Sequence, residues 1–70
     1  MTAKEKRELN VIKRAERTVI RIDKELENLN KAREKLSTES VEYFLIGQAK
    51  GQLMEAQSDL KIVISRMRNK

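Results

Sequence analysis

The stretch Leu36-Ser37-Thr38-Glu39-Ser40-Val41 separates two rows of apolar residues that do not share one register. On each side of it, apolar residues recur in alternating steps of three and four, the spacing of one face of an amphipathic helix. A continuation of the first row would fall on Ser40 and Gly47. The apolar residues stand at Ile46 and Leu53 instead. This change of register at a polar segment predicts that the chain reverses direction there.

The two rows predict an all-α fold, a single domain formed by a two-helix antiparallel hairpin. We expect the first helix at about 3–35, the turn at about 37–40 and the second helix at about 41–68. The competing fold is one long continuous helix in a parallel coiled coil, because the connection contains neither Gly nor Pro. The first row consists of Ile12, Ala15, Val19, Ile22, Leu26, Leu29 and Leu36, and the second of Ile46, Ala49, Leu53, Ala56, Leu60, Val63 and Met67.

The turn contains several residues that favour the start of a helix. Ser37 can accept a hydrogen bond from the free N–H groups of the second helix, and Thr38 is an equally good N-cap candidate. Leu36 and Val41 are placed to form a hydrophobic staple across such a cap. Arg33 falls in the first apolar row near the turn, so we expect its aliphatic part to cover the end of the core while its charge reaches water.

A few residues stand outside this simple pattern. Ile20, Phe44 and Ile62 lie off the two rows, where they could widen the core of the bundle or face another protein, and we favour the first interpretation. Gly47 and Gly51 share one helix face and each weakens a helix interior by roughly 1 kcal/mol relative to Ala. Two interpretations stay open for them, tolerated surface glycines or positions that another backbone approaches closely.

Self-association is expected because two helices alone cannot enclose a core. The chain has 70 residues and contains neither Cys nor His, so neither a disulfide nor a typical metal site is available to stabilise so small a fold. We therefore predict a homo-oligomer in which two hairpins pair into a four-helix bundle. Its oligomer seam would consist of the two rows from Ile12 to Leu29 and from Ile46 to Val63.

Catalytic and metal chemistry is not expected from this composition. General acid–base catalysis most often uses His, nucleophilic catalysis needs an activated group beside a base, and the serines carry no such signature. We expect no enzyme activity, no metal and no cofactor. The charged start Met1-Thr2-Ala3-Lys4-Glu5-Lys6 is not followed by an apolar run. It therefore predicts no signal peptide and no membrane partner, with a cytoplasmic location as the default.

Charge is distributed unevenly around and along the helices. Residues 1–17 contain six basic and three acidic residues, residues 61–70 contain four basic and no acidic ones, and residues 18–60 contain six basic and eight acidic ones. In a hairpin the two positive ends meet. The first helix also carries a basic stripe on two rows away from the apolar face: Arg7, Arg14, Arg17, Arg21, Lys24, Lys31 and Lys35, with Asn10 and Asn28 between them.

The charge pattern is the main indication of function, since phosphates are its natural complement. We expect a non-enzymatic accessory or regulatory protein that binds nucleic acid. The candidate nucleic-acid-binding residues are Arg7, Asn10, Arg14, Arg17, Arg21, Lys24, Arg66 and Arg68. Two alternatives remain open: a protein–protein interaction module, such as an adaptor, chaperone or inhibitor that docks through its apolar helix surface, and a purely structural self-assembling element. The pattern does not distinguish DNA from RNA.

Overall fold

The fold is a two-helix antiparallel hairpin. The computed structural model describes residues 1–69, in which α1 (Ala3–Glu34) and α2 (Val41–Arg68) pack against each other along their lengths. The molecule is a rod of 54 × 15 × 13 Å. The predicted hairpin is confirmed, and the alternative of one continuous helix is wrong. Neither helix within residues 1–69 has an apolar stretch long enough to cross a membrane.

Helix α1 begins with a side-chain N-cap. Thr2 is the N-cap: its Oγ1 accepts a hydrogen bond from the backbone N–H of Glu5 at 3.1 Å, and its hydroxyl donates to Oε1 of the same residue at 3.1 Å. The Glu5 carboxylate also lies near the positive end of the helix dipole. At the other end, Lys31 and Arg33 lie in the last turn, where cations are favoured. Both ends of α1 are therefore specified locally.

The turn reverses the chain without any left-handed residue. No residue among the described 1–69 has a positive φ, and no cis peptide bond occurs there. The carbonyl of Ser37 instead accepts two hydrogen bonds from Ser40, one from its backbone N–H at 3.0 Å and one from its hydroxyl at 2.7 Å. Serine side chains thus supply the turn geometry for which Gly is the usual solution.

The N-cap of α2 is Ser40, so the predicted caps at Ser37 and Thr38 were wrong. Ser40 Oγ accepts from the backbone N–H of Tyr43 at 3.1 Å, whereas Ser37 Oγ accepts from Glu39 within the turn at 3.3 Å. Val41 is 68% exposed, so the predicted staple with Leu36 is also wrong. The turn uses its first serine to reverse the chain and its last one to start the helix.

The core is narrow. Only Ile12, Ala15 and Ile22 are buried apolar residues among those described, and none of the side chains is fully buried. The other residues of the predicted rows are half-buried, except Ala56 and Val63, which are exposed. On α2 the residues between the helices are instead Ile46, Lys50, Leu53, Gln57, Leu60, Ile64 and Met67, all half-buried or buried. The hairpin contact of α2 thus includes the residues one position after Ala49, Ala56 and Val63.

Gln57 is the one buried polar residue among residues 1–69. Its side-chain amide donates to the backbone carbonyl of Val19 at 2.9 Å and to Oδ1 of Asp23 at 2.6 Å. The two donors of one amide group are therefore both used on α1. Because these bonds form only at one alignment of the helices, Gln57 helps to fix their register, as a polar core residue does in coiled coils.

Arg33, Tyr43 and Gly47 close the core at the turn. The guanidinium carbon of Arg33 lies 3.9 Å from the centre of the Tyr43 ring, a cation–π geometry. A Cβ at Gly47 would lie 2.8 Å from Nη2 of Arg33, whereas a Cβ at Gly51 would meet nothing within 4 Å. Gly47 therefore makes room for a guanidinium group. The hairpin itself gives no reason for Gly51.

Ile20, Phe44 and Ile62 do not widen the hairpin core. They are 60%, 61% and 51% exposed in the single hairpin, so a role in widening a core stays a prediction for the assembly of two hairpins. Each points away from the partner helix, because the contact needs only the rows that directly face it.

The two glycines should respond differently to the same substitution. We expect Gly51→Ala to raise the free energy of unfolding by about 1 kcal/mol, since Ala is the better helix former and its methyl group meets open space. Gly47→Ala should raise it less or lower it, because the methyl group displaces the guanidinium of Arg33 from Tyr43 at a cost of about 0.5–1 kcal/mol. Urea denaturation followed by circular dichroism measures both changes. Equal gains would show that the space at Gly47 is unimportant.

Replacing the buried amide should not weaken the hairpin. Gln57→Leu should raise the free energy of unfolding by about 1 kcal/mol, because the Val19 carbonyl keeps its bond within α1, the exposed Asp23 carboxylate returns to water, and an apolar side chain replaces the amide. Gln57→Ala, which loses the contacts as well, should lower it by about 1–2 kcal/mol. Urea denaturation of both variants measures these changes in the free energy of unfolding. A marked loss of stability in Gln57→Leu would contradict the expectation.

Candidate nucleic-acid interface

The basic stripe lies on the outer face of α1. Seven-residue spacing places Arg7, Arg14, Arg21 and Lys35 in one row, and Arg17, Lys24 and Lys31 in the row beside it. All seven side chains are exposed, on the side of the helix away from buried Ile12 and Ile22. From residue 7 to residue 35 the stripe is about 42 Å long at 1.5 Å per residue. The helix therefore presents a straight line of positive charge along most of the rod.

Most of this charge has no internal partner. Within residues 1–69, Arg7, Arg14, Arg17, Arg21 and Lys24 form no ion pair and no side-chain hydrogen bond. The exception in the stripe is Lys31, whose Nζ lies 3.5 Å from Oε1 of Glu27, with both side chains about two-thirds exposed. The cations from residue 7 to residue 24 are thus available to an external anion.

A groove of about 590 Å³ lies along the first half of the stripe. Cationic side chains form most of its walls, with one amide and one apolar residue between them: Arg7, Asn10, Val11, Lys13, Arg14 and Arg17. All these residues belong to α1, so the groove is open to solvent along the helix. It brings together four of the predicted residues and adds Lys13, which sequence reasoning did not include.

The second predicted cluster, at the end of α2, is partly engaged. Nη2 of Arg68 donates to Oε1 of Glu16 at 2.7 Å, with both side chains about half exposed. Arg66 is exposed and forms no ion pair within residues 1–69, while the positive charge of Lys70 lies outside the described residues. The contact places the end of α2 beside residue 16 of α1. The positive segments at the two ends of the chain therefore meet, but Arg68 is partly neutralised.

Two of the carboxylates near the stripe serve the hairpin itself. Glu16 binds Arg68, and Asp23, seven residues later on the same side of α1, accepts from Gln57. We call these two contacts the polar clasp. Sequence reasoning missed Gln57, although its place between Leu53 and Leu60, at steps of four and three, is that of a contact residue.

A smaller groove and the acidic residues of the described chain do not form a second anion site or a metal site. Asn30, Arg33, Glu34 and Tyr43 line a smaller groove of about 220 Å³ near the turn, where charges of both signs occur. Within residues 1–69 no group of three or more His, Cys, Asp or Glu side chains comes together to hold a metal ion.

Comparison of the chain with models of known protein families, with curated proteins and with solved structures gave no match. A functional proposal therefore rests on the chemistry of this surface.

Proposed function

We propose that this chain is a non-enzymatic accessory or regulatory protein that binds nucleic acid through the basic stripe. One observation carries the proposal: five cations of the stripe lie on one helix face without a partner among residues 1–69, namely Arg7, Arg14, Arg17, Arg21 and Lys24. Solubility alone does not call for such segregation, since mixed charges would serve it equally well.

A linear polyanion suits this surface better than a small anion. Successive stripe residues of one row are about 10 Å apart along a straight helix, at seven residues of 1.5 Å each. A single small anion can contact only a short part of such a line. A phosphate backbone can follow it, and each phosphate that an Arg or Lys neutralises releases condensed counterions, which drives binding.

The stripe favours double-stranded over single-stranded nucleic acid. Proteins that hold single strands generally stack the bases on aromatic side chains. The chain has one Tyr and one Phe, both near the turn, and Tyr43 already lies under Arg33. The stripe itself offers guanidinium and ammonium groups, which contact the phosphates of a duplex, and Asn10 as the amide within the groove. Such contacts position a protein on a duplex and convey little sequence preference.

Reversing the charge of the stripe should abolish binding and leave the fold intact. We expect the triple variant Arg14→Glu, Arg17→Glu, Arg21→Glu to lose measurable affinity for duplex DNA and RNA, with unchanged helicity, since all three side chains are exposed. For the wild type, the logarithm of affinity for duplex DNA should fall with the logarithm of salt concentration at a slope of about −0.9 per phosphate contacted. Fluorescence anisotropy with labelled duplexes and single strands at two salt concentrations measures both effects.

A matched control separates the stripe from net charge. Lys61→Glu changes the charge as much as Arg17→Glu, and both positions are exposed, but Lys61 lies on α2. Lys61→Glu should retain most of the affinity for nucleic acid, and Arg17→Glu should lose about tenfold or more. Equal losses would assign binding to overall charge, and no binding of the wild type to any probe at low salt would refute the proposal.

A protein partner is the second candidate, and a patch at the turn favours it. Val41, Phe44 and Leu45 are 68%, 61% and 53% exposed, and steps of three and four place them on one face of α2. We call this the tip patch. Large apolar side chains that are contiguous on a surface commonly mark a docking site, as in helices that bind the groove of another protein.

The tip patch can be tested against an isolated apolar residue. If a protein docks there, Phe44→Ser should weaken binding about 30-fold, because loss of a buried anchor costs about 2 kcal/mol. Ile62→Ser, at a position 51% exposed on the same helix, should have little effect. Isolation of the tagged chain from its own cells, followed by titration of any companion present at equal molar amount, provides the measurement. Equal effects of the two variants, or no such companion, would exclude the tip patch as the docking site.

A further inference from the structure

The hairpin leaves one apolar row of α2 unused. Ala49, Ala56 and Val63 are seven residues apart, each one position before a residue of the contact between the helices. Ala49 is half-buried, Ala56 is exposed and Val63 is 41% exposed. These residues continue the apolar character of the contact around one side of the helix.

Helix α1 carries a matching row. Val11, Thr18 and Ala32 belong to one row with seven-residue spacing, and Val11 is 47% exposed. Val11 and Thr18 come one position before the contact residues Ile12 and Val19. Glu25 is the only charged member of this row between residues 11 and 32.

The polar clasp shows that the two rows lie on the same side of the hairpin. Glu16 and Arg68, each one position after a contact residue, meet at 2.7 Å on one side of the helix pair. In an antiparallel pair, the residues one position before the contact therefore share the opposite side. We call that side the apolar flank. It consists of Val11, Thr18, Ala32, Ala49, Ala56 and Val63, with the exposed Glu25 as its one charged member between Thr18 and Ala32.

The surface area indicates how much of this molecule a partner would cover. The described chain exposes 5816 Å². A compact folded protein of its mass, 8.2 kDa, exposes about 4,500 Å² by the usual scaling, so the hairpin has an excess of about 1,300 Å². A standard protein interface buries about 800 Å² on each partner. The excess surface area of one hairpin is thus larger than the area that a standard interface buries on each partner.

We propose that a second copy of this chain covers the apolar flank, so that two hairpins form a four-helix bundle. An identical rod of 54 Å matches the flank along its whole length and removes the excess area of both chains at once. A core-facing helix of such a bundle has apolar residues on two contact rows and one adjoining row, which is the pattern that the contact and the flank form together. The interface leaves the outer part of the basic stripe on the surface of the assembly.

The oligomeric state and one pair of substitutions test this proposal. Light scattering and sedimentation equilibrium of the pure chain at micromolar concentration, without nucleic acid, should give a dimer. Ala56→Glu, on the apolar flank, should weaken dimerisation at least 100-fold. Met54→Glu, at a position 57% exposed one residue after the contact residue Leu53, should remain a dimer. A monomeric wild type, or equal effects of both substitutions, would overturn the proposal.

Crosslinking keeps the test decisive if Ala56→Glu also unfolds the chain. The protein has no Cys, so each single-cysteine variant carries one reactive thiol. A bismaleimide reagent should join two chains of Ala56→Cys or Val63→Cys efficiently and two chains of Met54→Cys poorly. The reverse order would place the interface on the side of the polar clasp and overturn the assignment of the flank. Neither experiment depends on nucleic-acid binding, so failure of one proposal is distinguishable from failure of the other.

Discussion

The structure depends on one constraint: a single pair of antiparallel helices has only one line of contact. Two rows of each helix face the partner, and all other rows face outward. This explains why only three apolar residues are buried among those described, and why side chains as large as Ile20 and Phe44 remain more than half exposed. A contact so narrow supplies little apolar burial per residue. The other features of the molecule either reinforce this contact or use the surface that it leaves.

Polar groups reinforce the contact at three places along the rod. Arg33 over Tyr43 closes it beside the turn, Gln57 bridges α2 to Val19 and Asp23 near the middle, and Arg68 joins Glu16 towards the open end. Apolar rows with a regular repeat can slide by one heptad at modest cost, whereas hydrogen bonds between specific groups cannot. The polar contacts therefore determine which residues meet, and the apolar rows provide the attraction.

The hairpin could be predicted because a change of register between two apolar rows has a direct structural meaning. The cap could not be assigned to Ser40, since Ser37, Thr38 and Ser40 can all accept a backbone hydrogen bond and only the path of the turn decides among them. Gln57 was missed because apolar periodicity favours Ala56 over an amide, although the amide finds two acceptors on α1. The rows of the basic stripe follow from spacing alone. The pairing of Arg68 with Glu16 could not be predicted, because these residues are 52 positions apart and the spacing of residues along one helix says nothing about which residues of the other helix they meet.

The distance of each contact from the turn also predicts the order in which the contacts between the helices form during folding. The contacts between the helices span ever longer loops with distance from the turn: residues 33 and 43 are ten positions apart, Asp23 and Gln57 are 34 apart, and Glu16 and Arg68 are 52 apart. Because loop closure costs more entropy as the loop lengthens, the helices should zip together from the turn, and their free ends should fray first. The groove between Arg7 and Arg17 lies at those free ends. Amide hydrogen exchange should therefore be slower in the interior turns of α1 that face α2 than around the groove, which would place the cations of the groove at the end of the rod that opens first.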